Sequence, residues 1–266
     1  AMKWVICRGH LRFSAKTANW LVGNSPEIPI LEITLMGPQI EFNSDCQIAL
    51  TGANLSPKIN EEPASMYETI SVSKNSKLTF GRPRSGCRTY LSVGGNWQVK
   101  KWLKSASAAS QNSEILTPDS LIKKDSQIHV SLSSGIEKRT AFEQQIPYPT
   151  IRKIRVLSGP EFNSFSRSEI AFFFGKNHKI TPDSNRMGYR LNSQLIDYQS
   201  NKELISSAVI PGTIQITNLG KPVILMKDAQ TTGGYSRFLN VISEDLDKLG
   251  QMKPGDEISF EFVNFE

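Results

Sequence analysis

Residues 211–226 read PGTIQITNLGKPVILM, and this stretch decides the fold class. Within it, Gly212–Ile216 and Val223–Met226 are short runs rich in β-branched and apolar residues, and glycine, asparagine and proline separate them. Runs of this length and composition between turn residues are typical of β-strands. The stretch therefore predicts two strands.

The same pattern recurs along most of the chain. Further strands are predicted at Ile30–Met36, Gln47–Leu50, Leu78–Phe80, Thr89–Val93, Gln127–Leu132, Ile151–Leu157 and Glu257–Val263. Two short helices are predicted at Ser14–Val22 and Ser243–Gly250, each with its serine as the N-cap, and Gly23 and Gly250 stop them. The sequence thus predicts a mainly β chain, a sandwich or barrel, with a few short helices.

Composition narrows the class of protein. The 266 residues carry 31 Lys and Arg against 25 Asp and Glu, a net charge of +6, and the basic residues are scattered rather than clustered. This distribution indicates a solvated surface and no nucleic-acid groove. Apolar runs are far shorter than the ~20 residues of a membrane span, so no membrane association is predicted. Three separated cysteines and three separated histidines indicate a reduced, cytoplasmic setting and no metal site.

A possible internal duplication appears when the chain is compared with itself. A shift of 122 residues aligns Leu35-x-Gly37-Pro38 with Leu157-x-Gly159-Pro160, and it aligns residues 48–50 with residues 170–172. Between the halves, residues 144–149 read QQIPYP, whose prolines favour an extended connector. We therefore predict two domains, residues 1–146 and residues 147–266.

The segment Ser105–Ser120 is rich in serine, alanine, glutamine and asparagine. Few of its side chains are of the kind that anchor a loop to a core, so we predict a mobile loop, either a lid or a long excursion.

The segment after the strand Val223–Met226 has the composition of a binding site. Residues 227–235 read KDAQTTGGY, in which paired glycines allow a ligand to approach the backbone and polar side chains supply donors and acceptors. The alternative is a hairpin loop whose hydroxyl groups cap its own backbone, and residue types alone favour that alternative.

Several longer motifs carry a resemblance to a known family. The C-terminal half contains P-G-x-I-Q from Pro211, D-x-Q-T-T-G-G-Y from Asp228, Q-x-x-P-G-D from Gln251 and S-N-R-M-G-Y-R-L from Ser184. The N-terminal half contains G-x-R-x-Y-L-x-V-G-G from Gly86. Together these motifs resemble the biotin-dependent carboxyltransferase-like family, which includes the C-type subunit of prokaryotic 5-oxoprolinase, the carboxyltransferase domain of urea carboxylase and proteins labelled allophanate hydrolase subunit 2. The likeness spans nearly the whole chain.

The resemblance implies a fold and a site. The fold is a pair of cyclophilin-like β-barrel domains, which agrees with the predicted strands and duplication. The implied catalytic candidates are Asp228, Gln230 and Tyr235, with Tyr235 or Asp228 as the first candidate for proton transfer. The implied substrate-binding candidates, whose arginines can grip a carboxylate or an oxyanion, are Arg88, Asn185, Arg186, Tyr189, Arg190, Thr231, Thr232, Gly233 and Gly234.

The resemblance also implies a reaction and partners. The chain is expected to be the C-type subunit of a 5-oxoprolinase that opens a small polar lactam to glutamate, together with a B-type subunit and a larger subunit. No Walker motif occurs in the sequence, so ATP is expected to act through the partner subunits and no cofactor is expected on this chain alone.

Two alternatives remain open at this stage. One is a biotin-dependent carboxyltransferase that acts on a urea-like amide, and only this alternative involves biotin. The other is a binding module that antagonises a B-type partner without catalysis, as in a family branch that acts on inhibitors of histidine kinases. The second is motivated by Leu103–Ala108, which stands where the family has an arginine-containing L-G-S-R-S-T segment.

Overall fold

The structure is a computed structural model that describes residues 4–7, 12–108, 113–133, 135, 137–141, 151–195 and 204–263. The chain divides into two compact units, Ala1–Tyr148 and Pro149–Glu266. The predicted connector at residues 144–149 and the predicted boundary between residues 146 and 147 lie outside the described residues.

The described residues of the first unit form three sheets and two α-helices. The largest sheet has five strands in the order β1-β2-β9-β4-β7, a second has the order β3-β8-β5-β6, and β10 pairs with β11. The helices are α1 (Arg12–Leu21) and α2 (Ser113–Leu116). The strands are β1 (Trp4–Cys7), β2 (Ile30–Thr34), β3 (Ile40–Glu41), β4 (Cys46–Asn54), β5 (Lys58–Ile59), β6 (Glu62–Pro63), β7 (Thr69–Val72), β8 (Lys77–Thr79), β9 (Ser85–Val93), β10 (Gly95–Trp97) and β11 (Val130–Leu132).

Both faces of the central strand β9 are covered. Tyr90 points to a small cluster with Ala15 and Ala18 of α1, whereas its neighbour Leu91 points into the main core beside Leu31 and Leu50. Successive side chains of a strand alternate between the two faces, so one apolar run serves both layers. This double burial explains why β9 lacks the alternation of polar and apolar residues that marks a half-exposed strand.

The second unit has one large sheet. Its seven strands follow the order β13-β20-β12-β19-β16-β17-β14, and β15 pairs separately with β18. The helices are α3 (Arg167–Phe174) and α4 (Ser243–Gly250). The strands are β12 (Ile151–Ser158), β13 (His178–Lys179), β14 (Gly188–Arg190), β15 (Ser207–Ala208), β16 (Thr213–Ile216), β17 (Pro222–Leu225), β18 (Thr232–Gly233), β19 (Ser236–Val241) and β20 (Glu257–Phe262).

Aromatic rings fill the core of the second unit. Phe173 of α3 stacks on Phe260 with ring centroids 4.9 Å apart, and it meets Phe238 edge-on at 5.1 Å. Offset and edge-on geometries are the favourable ones for aromatic pairs. The prediction of a mainly β chain with a few short helices is confirmed.

The predicted N-caps are wrong at both helices. The first helix begins at Arg12, so Ser14 lies inside it, and Gly23 at φ 69° ends it as predicted. The second spans Ser243–Gly250 as predicted, but Ile242 occupies the N-cap position and Ser243 is already helical. The polar contact near the start of α4 comes from Asp245. Its buried carboxylate accepts hydrogen bonds from the side chain and the backbone N–H of Arg155, and these bonds connect α4 to β12.

One half of the predicted duplication register is wrong. Residues 48–50 lie in strand β4, whereas residues 170–172 lie in helix α3. A capping box begins this helix: Ser166 Oγ accepts from Glu169 N at 3.2 Å, and Glu169 Oε2 accepts from Ser166 N at 2.7 Å. The S-x-x-E pattern is a helix-start signal that outweighs a three-residue apolar match.

The predicted mobile loop at Ser105–Ser120 is anchored where the structure describes it. Ala106 is buried in the core of the first unit, and Ser120 Oγ donates to its carbonyl oxygen at 2.5 Å. Helix α2 and a single 3-10 turn at Pro118–Ser120 occupy the end of the segment. Residues 109–112 lie outside the described residues.

Within the described residues, no helix is both long enough and apolar enough to cross a membrane.

A buried histidine makes the second unit sensitive to acid. His178 is fully buried, its Nε2 lies 2.8 Å from the Phe173 carbonyl oxygen, and its Nδ1 contacts Ser193 Oγ. A carbonyl only accepts, so Nε2 carries the hydrogen and Nδ1 accepts from the serine. Burial lowers the pKa of His178 from 6.5 to about 4.

This lowered pKa predicts that acid destabilises the second unit. Between pH 6.5 and about pH 4, His178 binds a proton more readily in the unfolded chain than in the folded unit. The free energy of unfolding of the second unit is therefore highest above pH 6.5 and decreases as the pH falls towards 4. The expected loss is about 1.4 kcal/mol per pH unit, roughly 3 kcal/mol in total. Residues 149–266 contain no tryptophan, so urea unfolding of this unit is best followed by hydrogen exchange.

The His178→Gln variant keeps a donor and an acceptor but does not titrate, so it should lose most of this slope. His129→Gln, at an exposed position of the first unit, is the matched control and should leave the slope unchanged. An unchanged slope in His178→Gln would contradict the assignment.

Candidate functional site

The segment Lys227–Tyr235 crosses over a strand rather than closing a hairpin. It connects β17 to β19, and β16 lies between these two strands in the sheet. Thr232–Gly233 forms β18 and pairs antiparallel with β15, and Val209 N donates to the Thr231 carbonyl oxygen at 3.0 Å. The alternative of a self-capped hairpin loop is therefore wrong. We call this segment the crossing loop.

The start of the crossing loop is fixed by an ion pair. Arg186 donates to Asp228 through Nε at 2.6 Å and through Nη2 at 3.2 Å, and Asp228 N donates to the Arg186 carbonyl oxygen at 3.0 Å. Both side chains are mostly buried. A bidentate guanidinium–carboxylate pair fixes orientation as well as position, so the pair continues the β14–β17 ladder into the loop.

The far end of the crossing loop rests on a buried glutamine. Gln215 of β16 is 1% exposed, and its Nε2 donates to the Tyr235 carbonyl oxygen at 3.3 Å. A Cβ atom on Gly233 would stand 2.8 Å from the same Nε2. Glycine at this position therefore lets the loop lie directly on the glutamine amide.

A cavity of about 520 Å³ opens beside this end of the loop. Leu204 and Ile205 form its apolar part, while two hydroxyl-bearing residues, a glycine and an ion pair form the rest. Its lining residues are Glu161, Leu204, Ile205, Ser207, Gly233, Tyr235 and Arg237. A volume of this size with a few convergent polar groups is typical of small-molecule sites. We call it the Tyr235 cavity.

An ion pair forms one wall of the Tyr235 cavity. Arg237 donates to Glu161 through Nε at 2.8 Å and Nη2 at 2.5 Å, and its backbone N–H donates to the same carboxylate at 2.9 Å. A further bond runs from Arg237 Nη1 to the Ala208 carbonyl oxygen at 3.3 Å. The hydrogen bonds between the two side chains lower the pKa of Glu161 and raise the pKa of Arg237. Both groups are therefore charged at neutral pH.

The local chain path explains how the glutamate reaches this wall. Glu161 follows Gly159, and a Cβ on Gly159 would lie 2.1 Å from the Arg237 carbonyl oxygen. Gly159 N donates to the Phe238 carbonyl oxygen at 2.8 Å. Glycine thus allows the chain to press against the backbone of β19 and to place Glu161 opposite Arg237.

The structure brings together some of the catalytic candidates and separates others. Tyr235 lines the cavity with 44% of its surface exposed, and it directly precedes Ser236, which pairs with Ile216 at one end of β16. The strand β17, which leads to Asp228, ends at Leu225, whose carbonyl oxygen accepts from Gly212 N beside the opposite end of β16. Four residues of strand separate these ends, about 13 Å. Gln230, the third candidate, is exposed on the crossing loop between them.

The substrate-binding candidates also occupy different surroundings. Gly233 lines the cavity, Gly234 lies beside it, and Thr231 and Thr232 are exposed on the crossing loop. Asn185 accepts from Met187 N within a turn, and Arg190 is exposed.

Two of the candidates are buried. Tyr189 is 3% exposed, and its hydroxyl donates to the Met252 carbonyl oxygen at 3.0 Å. Arg88 is 4% exposed in the first unit, where its Nε lies 3.5 Å from the buried Glu32 carboxylate. Both side chains therefore make interior contacts within their own unit.

Sequence reasoning missed four polar residues of the cavity region: Glu161, Ser207, Gln215 and Arg237. Gln215 stands in the P-G-x-I-Q motif, and Arg237 follows Tyr235 by two residues, which is the spacing of one strand face. Glu161 directly follows the Leu157-x-Gly159-Pro160 motif. Ser207 lies in a stretch without a recognisable pattern.

The Arg186–Asp228 pair is expected to show a coupling energy of about 1–3 kcal/mol, between the ranges of exposed and buried pairs. The measurement is a double-mutant cycle with Arg186→Met, Asp228→Asn and the double variant, read from unfolding of the second unit. The exposed pair of Lys153 and Glu261, at 3.3 Å, is the matched control and should give less than about 0.5 kcal/mol. Equal coupling energies in the two pairs would contradict the conclusion that the Arg186–Asp228 pair fixes the start of the crossing loop.

Comparison with known proteins finds similar sequences along nearly the whole chain. Residues 11–262 match the family model of the carboxyltransferase domain, subdomain A and B. The C-type subunit of the Escherichia coli 5-oxoprolinase is 34% identical over 247 residues, which cover 92% of this chain and 78% of that protein. The C-type subunit of the Haemophilus influenzae 5-oxoprolinase is 28% identical over 98% of this chain and 83% of that protein.

A solved structure gives the same result for the fold. The crystal structure of the Kluyveromyces lactis urea carboxylase superposes with a TM-score of 0.85 at 26% sequence identity. The match covers 98% of this chain and 26% of that chain, so this protein spans about a quarter of the larger enzyme.

Proposed function

Because the chain belongs to the family of the carboxyltransferase domain, subdomains A and B, we propose that it is the C-type subunit of an ATP-dependent 5-oxoprolinase. The observation that carries this proposal is the 34% identity to the Escherichia coli protein across 92% of this chain. The Tyr235 cavity supports it, because its size and polar groups suit a small polar lactam.

The proposed partners are a B-type subunit and a larger subunit, and ATP acts through them. The setting is cytoplasmic. The three cysteines of the sequence, Cys7, Cys46 and Cys87, are widely spaced and include no C-x-x-C pair, which suits a reducing compartment.

The proposed reaction opens the lactam ring. The oxygen of a water molecule adds to the lactam carbonyl carbon, the carbon–nitrogen bond breaks, and the nitrogen takes up a proton to become the amino group of glutamate. Tyr235 is the proposed proton donor, because it lines the cavity and carries a phenol hydroxyl. Gly233 lines the same cavity and exposes its backbone to the substrate.

The surrounding residues have proposed supporting roles. Gln230, Thr231 and Thr232 are exposed on the crossing loop outside the lining of the Tyr235 cavity, and their proposed role is to contact the amide group of a substrate that extends from the cavity over the loop. Arg186 and Asp228 act as positioning residues, because their pair fixes the start of that loop. Arg237 holds Glu161 in a pair without net charge, so this wall does not repel the carboxylate of the substrate.

A second candidate function is carboxyl transfer to a urea-like amide with biotin as the carrier. The likeness to the Kluyveromyces lactis urea carboxylase favours this candidate. It requires biotin-carrier and biotin-carboxylase domains on other chains.

Reconstitution distinguishes the two candidates. The chain is co-expressed with the B-type and larger subunits of the same organism, and glutamate and ADP are measured with 5-oxoproline as the substrate. We expect equal amounts of both products, and neither when this chain is omitted. ATP consumption that instead requires urea and a biotinylated carrier would replace the first proposal with the second.

A further inference from the structure

Gln215 is a polar side chain in a strand whose residues are all buried. Strand β16 reads TIQI, and Gln215 is 1% exposed. Burying a side-chain amide costs free energy unless the amide is hydrogen-bonded, whereas an apolar side chain of similar volume would gain free energy from the same burial. The stability of the strand alone therefore gives no reason for glutamine at this position.

A shift in strand register decides which residue stands opposite Gln215. Ile214 pairs with Leu239 and Gln215 pairs with Arg237, so Phe238 is an extra residue of β19. Such a bulge changes the direction of the side chains that follow it. Residues directly opposite each other in an antiparallel pair lie on the same face of the sheet. Gln215 therefore shares a face with Arg237, which lines the Tyr235 cavity.

The amide of Gln215 lies against the end of the crossing loop. Its Nε2 donates to the Tyr235 carbonyl oxygen at 3.3 Å. A Cβ atom on Gly233 would stand 2.8 Å from this Nε2 and 3.4 Å from Oε1 of the same amide. A side chain at Gly233 would thus separate the loop from the amide and break the hydrogen bond to Tyr235.

This hydrogen bond restrains the direction of Tyr235. A bound carbonyl oxygen fixes the planar peptide group between Tyr235 and Ser236, and this plane limits the directions that the Tyr235 side chain can take. Because 44% of the Tyr235 surface is exposed, packing around the ring restrains it less than it would in the core. The length of 3.3 Å is at the long end for this kind of bond, so the contact can tighten when a substrate binds.

We propose that Gln215 is a positioning residue that holds Tyr235, through the Tyr235 carbonyl oxygen, in the direction from which its phenol reaches the substrate in the Tyr235 cavity. This inference rests on the proposed function, because it takes Tyr235 as the proton donor. A displacement of a catalytic group by about 1 Å can lower the rate about 100-fold. A weak bond from a residue outside the cavity lining can therefore have a large effect on the rate.

The first test is the Gln215→Met variant, which keeps the volume of the side chain and removes the donor. We expect kcat for 5-oxoproline in the reconstituted complex to fall at least about tenfold while KM changes less than about twofold, because the lost positioning matters only in the transition state. A wild-type kcat in this variant would overturn the proposal.

Thr213→Val is the matched control for the loss of a buried hydrogen bond. Thr213 belongs to the same strand, is 2% exposed and donates to Asn240 Oδ1 of β19 at 3.0 Å. This variant should destabilise the second unit by about 1 kcal/mol and keep kcat within about twofold of the wild type. A loss of kcat equal to that of Gln215→Met would show a general sensitivity of β16 and overturn the proposal.

The Gln215→Glu variant has nearly the same shape, and its donor depends on pH. An ionised carboxylate only accepts, whereas the protonated acid can donate to the Tyr235 carbonyl oxygen. The residues paired with this position are Arg237, whose charge is balanced by Glu161, and the uncharged Val223. Since burial favours the protonated acid, kcat relative to the wild type should rise at least about fivefold between about pH 8.5 and about pH 6. The same ratio for Gln215→Met should stay flat. A flat ratio for Gln215→Glu would overturn the proposal.

Hydrogen exchange in the full chain gives a readout that does not depend on activity. Amides of residues 231–236 should exchange at least about fivefold faster in Gln215→Met than in the wild type, and Thr213→Val should leave them unchanged. If the wild-type complex forms no glutamate, the proposed function fails, and exchange alone then decides whether Gln215 holds Tyr235. Unchanged exchange of these amides in Gln215→Met would overturn the proposal. If Gln215→Met fails to fold, the Gln215→Glu variant decides.

Discussion

Replacing Gly159 with alanine is expected to abolish glutamate formation by the reconstituted complex and to destabilise the second unit by about 3 kcal/mol or more. The new Cβ would stand 2.1 Å from the Arg237 carbonyl oxygen and 2.8 Å from two backbone carbons of β19. Backbone atoms in the middle of a sheet cannot move away as a flexible side chain can. The chain at residue 159 must shift instead, which breaks the bond to Phe238 and draws Glu161 away from Arg237.

Two control variants test whether the effect is specific to Gly159 or follows from any substitution at a neighbouring or similar position. Ser158→Ala changes the exposed neighbouring residue and should alter stability by less than about 0.5 kcal/mol. Gly37→Ala changes the equivalent glycine of the first L-x-G-P motif, where the new Cβ would meet the Phe80 side chain. That variant should leave unfolding of the second unit unchanged. Wild-type stability of Gly159→Ala would contradict the close approach that positions Glu161.

The Arg237→Gln variant is expected to lower kcat/KM for 5-oxoproline about 100-fold, which corresponds to about 2.7 kcal/mol. The substitution leaves the Glu161 carboxylate, whose side chain is 18% exposed, without a counter-charge at the wall of the Tyr235 cavity. It also removes the bond to Ala208 that holds β15 beside the crossing loop. A negative wall would repel the carboxylate of the substrate, so much of the loss should appear in KM.

A double variant separates stability from activity in this pair. Glu161→Gln with Arg237→Gln removes both charges and should restore stability to within about 1 kcal/mol of the wild type. The guanidinium remains absent, so hydrolysis should stay low. Lys153→Met, at an exposed cation of the same unit, should have no effect on hydrolysis. An Arg237→Gln variant with more than half of wild-type activity would contradict the role of this wall.

The strands could be predicted from sequence because their signal is local. Predicted and observed strand ends at residues 212–216 and 223–226 differ by at most one residue, since glycine and proline punctuate this region clearly. The strand predicted at Ile30–Met36 ends earlier, at Thr34, because Leu35 adopts φ 63° in a tight turn. Nothing in the residue type of leucine indicates that conformation, which is rare outside glycine and asparagine.

The partners of side chains could not be predicted, because they depend on strand order. Asp228 and Tyr235 lie seven positions apart in the crossing loop, but the strand before Asp228 ends beside Gly212 and the strand after Tyr235 begins beside Ile216, because the loop crosses β16. Tyr189 stands in a motif with two arginines, yet its place in the alternation of β14 turns it into the core. The Arg237–Glu161 pair joins residues 76 positions apart, and no local pattern reveals such a contact.

The most direct test of the central claim is glutamate release from 5-oxoproline by the reconstituted complex with Tyr235→Phe, beside the wild type and Gln230→Ala. We predict at least a 100-fold loss for Tyr235→Phe, a smaller loss for Gln230→Ala, and normal assembly of both variants with the partner subunits. A Tyr235→Phe complex that assembles and releases glutamate at the wild-type rate would contradict the assignment of the Tyr235 cavity as the site of lactam opening.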